Sequence, residues 1–258
     1  MKLFLLSCII GVVLLATSCS SNEEPQSIEN KGFIQLSVKA DATFKTASTR
    51  SVDEENYKDV NKYHIQIINS SDKIEKEYAS LSEVPAQIEL NNGSYTLKAF
   101  YGEDKDASQT DFYVEGTSSF AIQEKVQSVT VDCAPVCGKV IAHFDQTMTE
   151  YFSDYSIVYE TKALSDAGTA AVWSKSNTDP WYLKVDKNGE QVKATIQVTR
   201  KSDNKSSTVE KSYMLAPNKS WTLRITPKDD NGSLGIVIEI DESTNDHEID
   251  IVVPSDWV

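Results

Sequence analysis

The feature that most constrains this chain is a two-residue alternation of apolar and polar side chains that returns along most of its length. Gly32-Phe33-Ile34-Gln35-Leu36-Ser37-Val38 alternates, as do Tyr63 to Ile67, Ala86 to Leu90 and Tyr95 to Tyr101. Phe112 to Val114, Ser119 to Ile122 and Val126 to Val131 continue the series. Side chains of a strand point alternately to its two faces, so each run buries one face and leaves the other in water. The runs are rich in β-branched and aromatic residues and are divided by turn formers, as half-buried antiparallel strands are. Asn91-Asn92-Gly93 has the composition of a tight hairpin turn, because Asn and Gly tolerate positive φ.

The alternation lapses twice. Ala42 to Asp59 is rich in Thr, Ser and charge and reads as a long loop, with a helical turn near Asp53 to Tyr57. Cys133-Ala134-Pro135-Val136-Cys137 interrupts the pattern with a proline, which cannot sit within a central strand, so a domain boundary is expected there. A second series follows: Lys139 to Phe144, Tyr155 to Tyr159, Trp181 to Val185, Val192 to Val198, Val209 to Leu215, Trp221 to Ile225, Leu234 to Ile240 and Ile249 to Val253. Gln146 to Phe152 suits a short helix. Two sets of about seven short strands predict an all-β chain of two tandem β-sandwiches, over residues 32–134 and 136–258.

The first residues follow a different logic. Lys2 precedes an apolar run to Leu15, then Ala16-Thr17-Ser18-Cys19. The run is shorter than the roughly 20 residues that span a bilayer, and small residues precede the cysteine, as in a secretory signal. Residues 1–18 are therefore expected to be removed and Cys19 to carry the lipid, palmitate among its acyl chains. Each buried methylene contributes about 0.8 kcal/mol to membrane attachment. Residues 19–31 are polar, acidic and proline-bearing, a flexible tether.

Formal charge is −14 over the 258 residues, and loss of Lys2 with the leader makes it more negative. Nucleic acid and anionic membrane surfaces reward basic patches, so neither is an expected partner. Once Cys8 has left with the leader and Cys19 is lipidated, Cys133 and Cys137 remain. On one extended strand they would be about 13 Å apart, too far for a disulfide. Two separate thiols, at least one of them buried, are expected.

Leu90-Asn91-Asn92-Gly93-Ser94-Tyr95-Thr96-Leu97-Lys98-Ala99 is similar to hairpins of transthyretin-like sandwiches. Val129 to Cys133, Lys139 to Phe144 and Tyr151 to Tyr155, taken with the cysteine-ended leader, resemble Bacteroidales lipoproteins of a domain-of-unknown-function family near the fimbrillin-like superfamily. The resemblance implies two transthyretin/fimbrillin-like sandwiches and lipid-anchored display on the cell-surface face of the outer membrane. It also implies a structural or adhesive role, as a fimbrial subunit, fimbrial accessory protein or adhesin, with a fimbrial or host-surface protein as partner. In fimbrillins a protease cuts after an early arginine, a strand leaves, and a strand of another subunit replaces it by β-strand addition. Arg50, alone before Arg200, is the candidate processing site, and Gly32–Lys39 the edge strand such a cut would free.

No enzyme is expected. The chain has no Gly-x-Ser-x-Gly elbow, no phosphate-cradling glycine loop and no zinc-type histidine pair, and its three histidines, His64, His143 and His247, are scattered. No cofactor is implied. Asp186-x-Asn188-Gly189-Glu190 matches only part of a calcium loop, so no metal is expected either. Trp173, Trp181, Tyr182 and Trp221 are candidate ligand aromatics, able either to fill a sandwich core or to stack on sugars. They support an alternative function, a surface glycan-binding lipoprotein serving carbohydrate uptake.

Overall fold

The structure is a computed structural model and describes residues 30–44, 52–123, 126–230, 233–241 and 246–249. In the first half run β1 (Lys31–Ala40), β2 (His64–Asn69), β3 (Ile74–Tyr78), β4 (Ile88–Asn91), β5 (Gly93–Tyr101), β6 (Ala107–Ser108), β7 (Val114–Ile122) and β8 (Val126–Pro135). The second half holds β9 (Cys137–Phe144), β10 (Phe152–Glu160), β11 (Ala171–Ser174), β12 (Trp181–Lys184), β13 (Glu190–Arg200), β14 (Ser206–Leu215), β15 (Ser220–Asp230), β16 (Ser233–Asp241) and β17 (Asp246–Ile249). Two short helices, α1 (Met148–Tyr151) and α2 (Lys162–Ala167), flank β10. The second begins where the Thr161 side chain accepts from the Leu164 N–H, and ends at Gly168 with φ 66°. The chain is all-β in class.

Seven strands form one sheet in the order β3-β2-β5-β7-β8-β1-β4. It is hinged at β7 and β8, which pair only at Val114↔Pro135 and Glu115↔Ala134. Gly116 permits the close crossing, since a Cβ there would lie 2.3 Å from the Asp132 carbonyl oxygen. The two wings enclose one core, with Ile34, Val129 and Val131 from one side and Ile65, Ile67 and Leu97 from the other. Each such fully buried side chain stabilises the fold by about 1.5–3 kcal/mol relative to its exposure. The second core lies between the four-stranded sheet β11-β10-β13-β14 and the six-stranded sheet β17-β16-β15-β9-β12-β6.

Several expectations need correction. β1 is not at a sheet edge: it runs parallel to β8 from Phe33↔Val126 to Ala40↔Cys133 and antiparallel to β4 from Lys31↔Asn91 to Ile34↔Ile88. Sequence alternation carries no information about these distant partners. The strand pattern does not break at Cys133, because Pro135 is the last residue of β8 and Val136 alone separates it from β9. Proline is tolerated there because the missing N–H falls at the end of the ladder. Asn91-Asn92-Gly93 does reverse the chain, but β4 and β5 join opposite wings and form no hairpin. Phe112 and Tyr113 lead into β7, which absorbs the run beginning at Ser119. The expected turn near Asp53 is a 3-10 turn over Glu54–Lys58, capped by the Asp53 carboxylate. Of the last expected strand, only its start at Ile249 falls within the described residues.

Candidate functional site

Two aromatic clusters flank β9, one on each face of the six-stranded sheet, and they are built differently. The first lies where the halves meet. Tyr182 is paired with Lys139 across β9 and β12, so both side chains share a face. Lys139 is fully buried and places Nζ 2.6 Å from Oε1 of Glu54. The Tyr182 hydroxyl donates to the same oxygen at 3.1 Å. The rings of Phe44 and Tyr182 each stand 5.8 Å from the ammonium. Phe112 stacks on Tyr57 at 3.8 Å and on Tyr182 at 4.9 Å. The Phe112 N–H donates to the Tyr57 hydroxyl, and the Tyr63 hydroxyl donates to the Tyr57 carbonyl. This cluster is sealed and its polar atoms are matched. Cys133 and Cys137 are buried beside it with no bond between them, as two separate thiols. Burial pushes both thiols up to about 12, so neither supplies a nucleophile at neutral pH.

The second cluster lines an open cleft of 530 Å³. β12 pairs with β9 only from Lys184↔Cys137 to Trp181↔Val140. Pro180 then precedes the strand, and having no N–H it cannot continue the ladder. Among the described residues no strand takes its place beside Ile141–Phe144. The Lys139 and Asp145 N–H groups donate to Lys219 and Ile225, on the β15 side. By alternation, the N–H and C=O of Ala142 and Phe144 therefore face the side that β12 has left. Phe144 is half-buried and stacks on Tyr155 at 4.5 Å and on Trp173 at 4.7 Å. The Trp173 ring is only 4% exposed, and its Nε1 is buried with no hydrogen-bond partner.

The far wall is the loop from Lys175 to Pro180. The loop is held in place: Gln109 donates to the Asp179 carbonyl at 2.9 Å and accepts from the Asn177 side chain at 2.6 Å. Ser174 and Asn177 exchange backbone hydrogen bonds at 3.1 and 3.0 Å. Lys175, Thr178 and Asp179 are exposed on the rim, and His143 of β9 borders the cleft with its side chain on the opposite face of the strand from Phe144. The Lys175 ammonium lies 5.1 Å from the centre of the Tyr155 ring and donates to the Ser153 carbonyl. The arrangement joins an aromatic floor to hydrogen-bonding groups of both kinds, as ligand pockets of about 300–1,000 Å³ do.

The residues singled out in the sequence are dispersed. Cys19 and Arg50 lie outside the described residues. Trp173 is in the cleft, whereas Tyr182 is 2% exposed in the sealed cluster on the opposite face. Trp221, 7% exposed, stacks on Tyr213 at 4.4 Å in the core. Trp181 is half-buried against that core. The four therefore form no common platform. His64 contacts Glu77 at 2.8 Å and stacks on Phe100 at 4.7 Å, a structural placement. Glu190 accepts from the Asp186 and Lys162 N–H groups and Asp186 from Asn188, so turn formation occupies those carboxylates. Phe144, Tyr155, Lys175 and Asp179 were not singled out. Pro180, just before an aromatic strand, was the one signal that pairing would stop there.

A family model described as Domain of unknown function (DUF4493) matches residues 30–255. No curated protein matches the sequence. Among solved structures the chain is similar to a putative adhesin from Bacteroides thetaiotaomicron, at 10% identity and TM-score 0.45, covering 83% of this chain and 96% of that one. It is also similar to putative polysaccharide binding proteins (DUF1812) from the same organism, at 12% and 0.43, covering 86% and 98%. A third similarity is to the fimbrial anchor protein Mfa2 from Porphyromonas gingivalis, at 9% and 0.41, covering 82% and 97%.

Proposed function

Since the chain belongs to the DUF4493 family, we propose that it is a non-catalytic structural or adhesive protein of the cell surface, fimbrial subunit or accessory in kind. A protein in that position must hold its ends apart while being pulled. The observation that carries the reading is the junction of the two halves. β8 runs into β9 across one residue, β6 of the first half pairs with β12 of the second, and the buried Lys139–Glu54 contact ties the Glu54–Lys58 turn to the same sheet. Sliding the halves apart would uncover a buried charge as well as aromatic surface, a steep cost over a short displacement.

In this reading Cys19 carries the lipid in the outer membrane, residues 19–31 are the tether, and domains over 32–134 and 136–258 form the displayed body. Arg50 remains a candidate cut site with an altered consequence. β1 is paired on both sides and Phe44 is buried in the sealed cluster, so the segment before the cut stays bound by its own contacts. The test is to label intact cells with antibody and to compare adhesion of cells carrying the native chain, the Cys19→Ala chain and none. Surface labelling and adhesion should both fall in the Cys19→Ala cells. Adhesion equal in all three would sink the adhesive reading.

A second reading, glycan capture for carbohydrate uptake, is favoured by the cleft at Phe144, Tyr155 and Trp173. Growth of deletion cells on a glycan panel separates it from the first, because only an uptake protein would make growth on one glycan fail.

A further inference from the structure

We infer that the cleft between the free edge of β9 and the Lys175–Pro180 loop is a binding site for a saccharide, one pyranose ring at a glycan end; this rests on the adhesive reading and gives it a ligand. Three features of the site point to that chemistry. The floor is aromatic, and the C–H face of a pyranose carries the partial positive charge that a π face attracts. Phe144 presents that floor, supported from beneath by Tyr155 and Trp173 at 4.5 and 4.7 Å. The rim then supplies both acceptors and donors. The Asp179 carboxylate can accept from two hydroxyls, and Lys175 and Thr178 are exposed on the same loop. Last, the wall contains unmatched polar groups, the N–H and C=O of Ala142 and Phe144, which no strand pairs. A ligand dense in hydroxyls answers such groups, whereas an apolar ligand would leave them buried and unsatisfied.

An unpaired strand edge also invites a peptide strand. The geometry weighs against that occupant here. The edge is four residues long, and the facing loop is fixed by Gln109 through Asn177 and Asp179. A strand laid along Ile141–Phe144 would have to displace that loop, while a single ring enters the 530 Å³ cleft as it stands.

The test uses the purified full chain in detergent. Free glucose, galactose, mannose, fucose, N-acetylglucosamine and N-acetylgalactosamine are titrated and followed by saturation-transfer NMR and tryptophan fluorescence. At least one sugar should bind saturably with Kd at or below about 5 mM, and Asp179→Asn should weaken it about tenfold or more. Thr178→Val should weaken it less. Both positions are exposed on a loop, so the variants should keep the native urea midpoint. The inference is overturned if no sugar binds, or if binding is unchanged in both variants. It is also overturned if a synthetic peptide of residues 249–258, and no sugar, protects the Ala142 and Phe144 amides from exchange. Beads coated with the protein separate this from the adhesive reading. Sugar binding without bead adhesion upholds the site and sinks adhesion; adhesion without sugar binding does the reverse.

Discussion

The sealed cluster around Lys139 and the open cluster around Phe144 are separated by one sheet and use similar rings, yet they treat their polar atoms in opposite ways. In the first, a buried ammonium, a carboxylate and three tyrosine hydroxyls find partners inside the protein. In the second, an indole N–H and two backbone residues are left over. An unmatched buried polar group costs about 1–3 kcal/mol, so the open cluster gives up stability that the sealed one keeps. The difference teaches where the molecule is braced and where it is available.

The comparison breaks most sharply at Glu54. Glu54→Ala leaves the Lys139 ammonium buried without its carboxylate, and should destabilise the protein by about 3–5 kcal/mol, read as a drop in urea midpoint. Lys139→Met with Glu54→Gln removes the charges and keeps the volume, and should recover most of that loss. A Glu54→Ala protein with an unchanged midpoint would mean that the junction is not braced as described.

Gly116→Ala tests the hinge of the seven-stranded sheet. The added Cβ would meet the Asp132 carbonyl at 2.3 Å, so about 1–3 kcal/mol should be lost. Phe144→Leu in the open cluster should cost less than about 1.5 kcal/mol, because the ring is half-buried and the volume change small. If it proves as costly as Glu54→Ala, the two clusters are alike in function after all.

Alkaline pH gives a smaller and graded effect. Tyr57, Tyr63 and Tyr182 are raised above 10.0, chiefly by burial, and Cys133 and Cys137 are raised from 9.0 to about 12. A raised folded pKa means that the folded chain holds these protons longer than the unfolded chain does. Their contribution is complete below pH 9 and should decline as pH rises through 9 and 10 toward the folded values. Urea midpoints at pH 8, 9, 10 and 11 check it, and a thiol reagent at pH 8 should modify both cysteines only after unfolding. At the bottom of the scale, Asp166→Asn removes the exposed Lys162 pair and should leave the midpoint where it is.

Strands were legible because alternation is local. Ile65 and Ile67 announce a buried face from five residues of text, and the structure buries both completely. Partners were not legible, because pairing is decided by segments far away. Asn91-Asn92-Gly93 looks like a hairpin from within, but β4 is claimed by β1 and β5 by β2 and β7. The free thiols followed from strand spacing, since Cys133 and Cys137 sit on successive extended segments. The cleft was hidden for a different reason. Lys175, Thr178 and Asp179 read as an ordinary polar loop, and Phe144 as another core residue, until the early end of β12 sets them face to face.

The parallel pairing of β1 with β8 has a consequence for the order in which the chain can fold. Lys31–Ala40 is the first of the described strands to leave the ribosome, but its ladder partner Val126–Pro135 arrives only when the first half is nearly complete. Until then β1 is an apolar strand with an open edge, beside β4 at most. Long-range pairings of this sort close slowly, because the entropy of a large loop must be overcome before any contact repays it. During that interval the segment is the part of the chain most prone to join the wrong strand, so a chaperone that shields the first strand would do more for the yield of folded protein than one that shields the last.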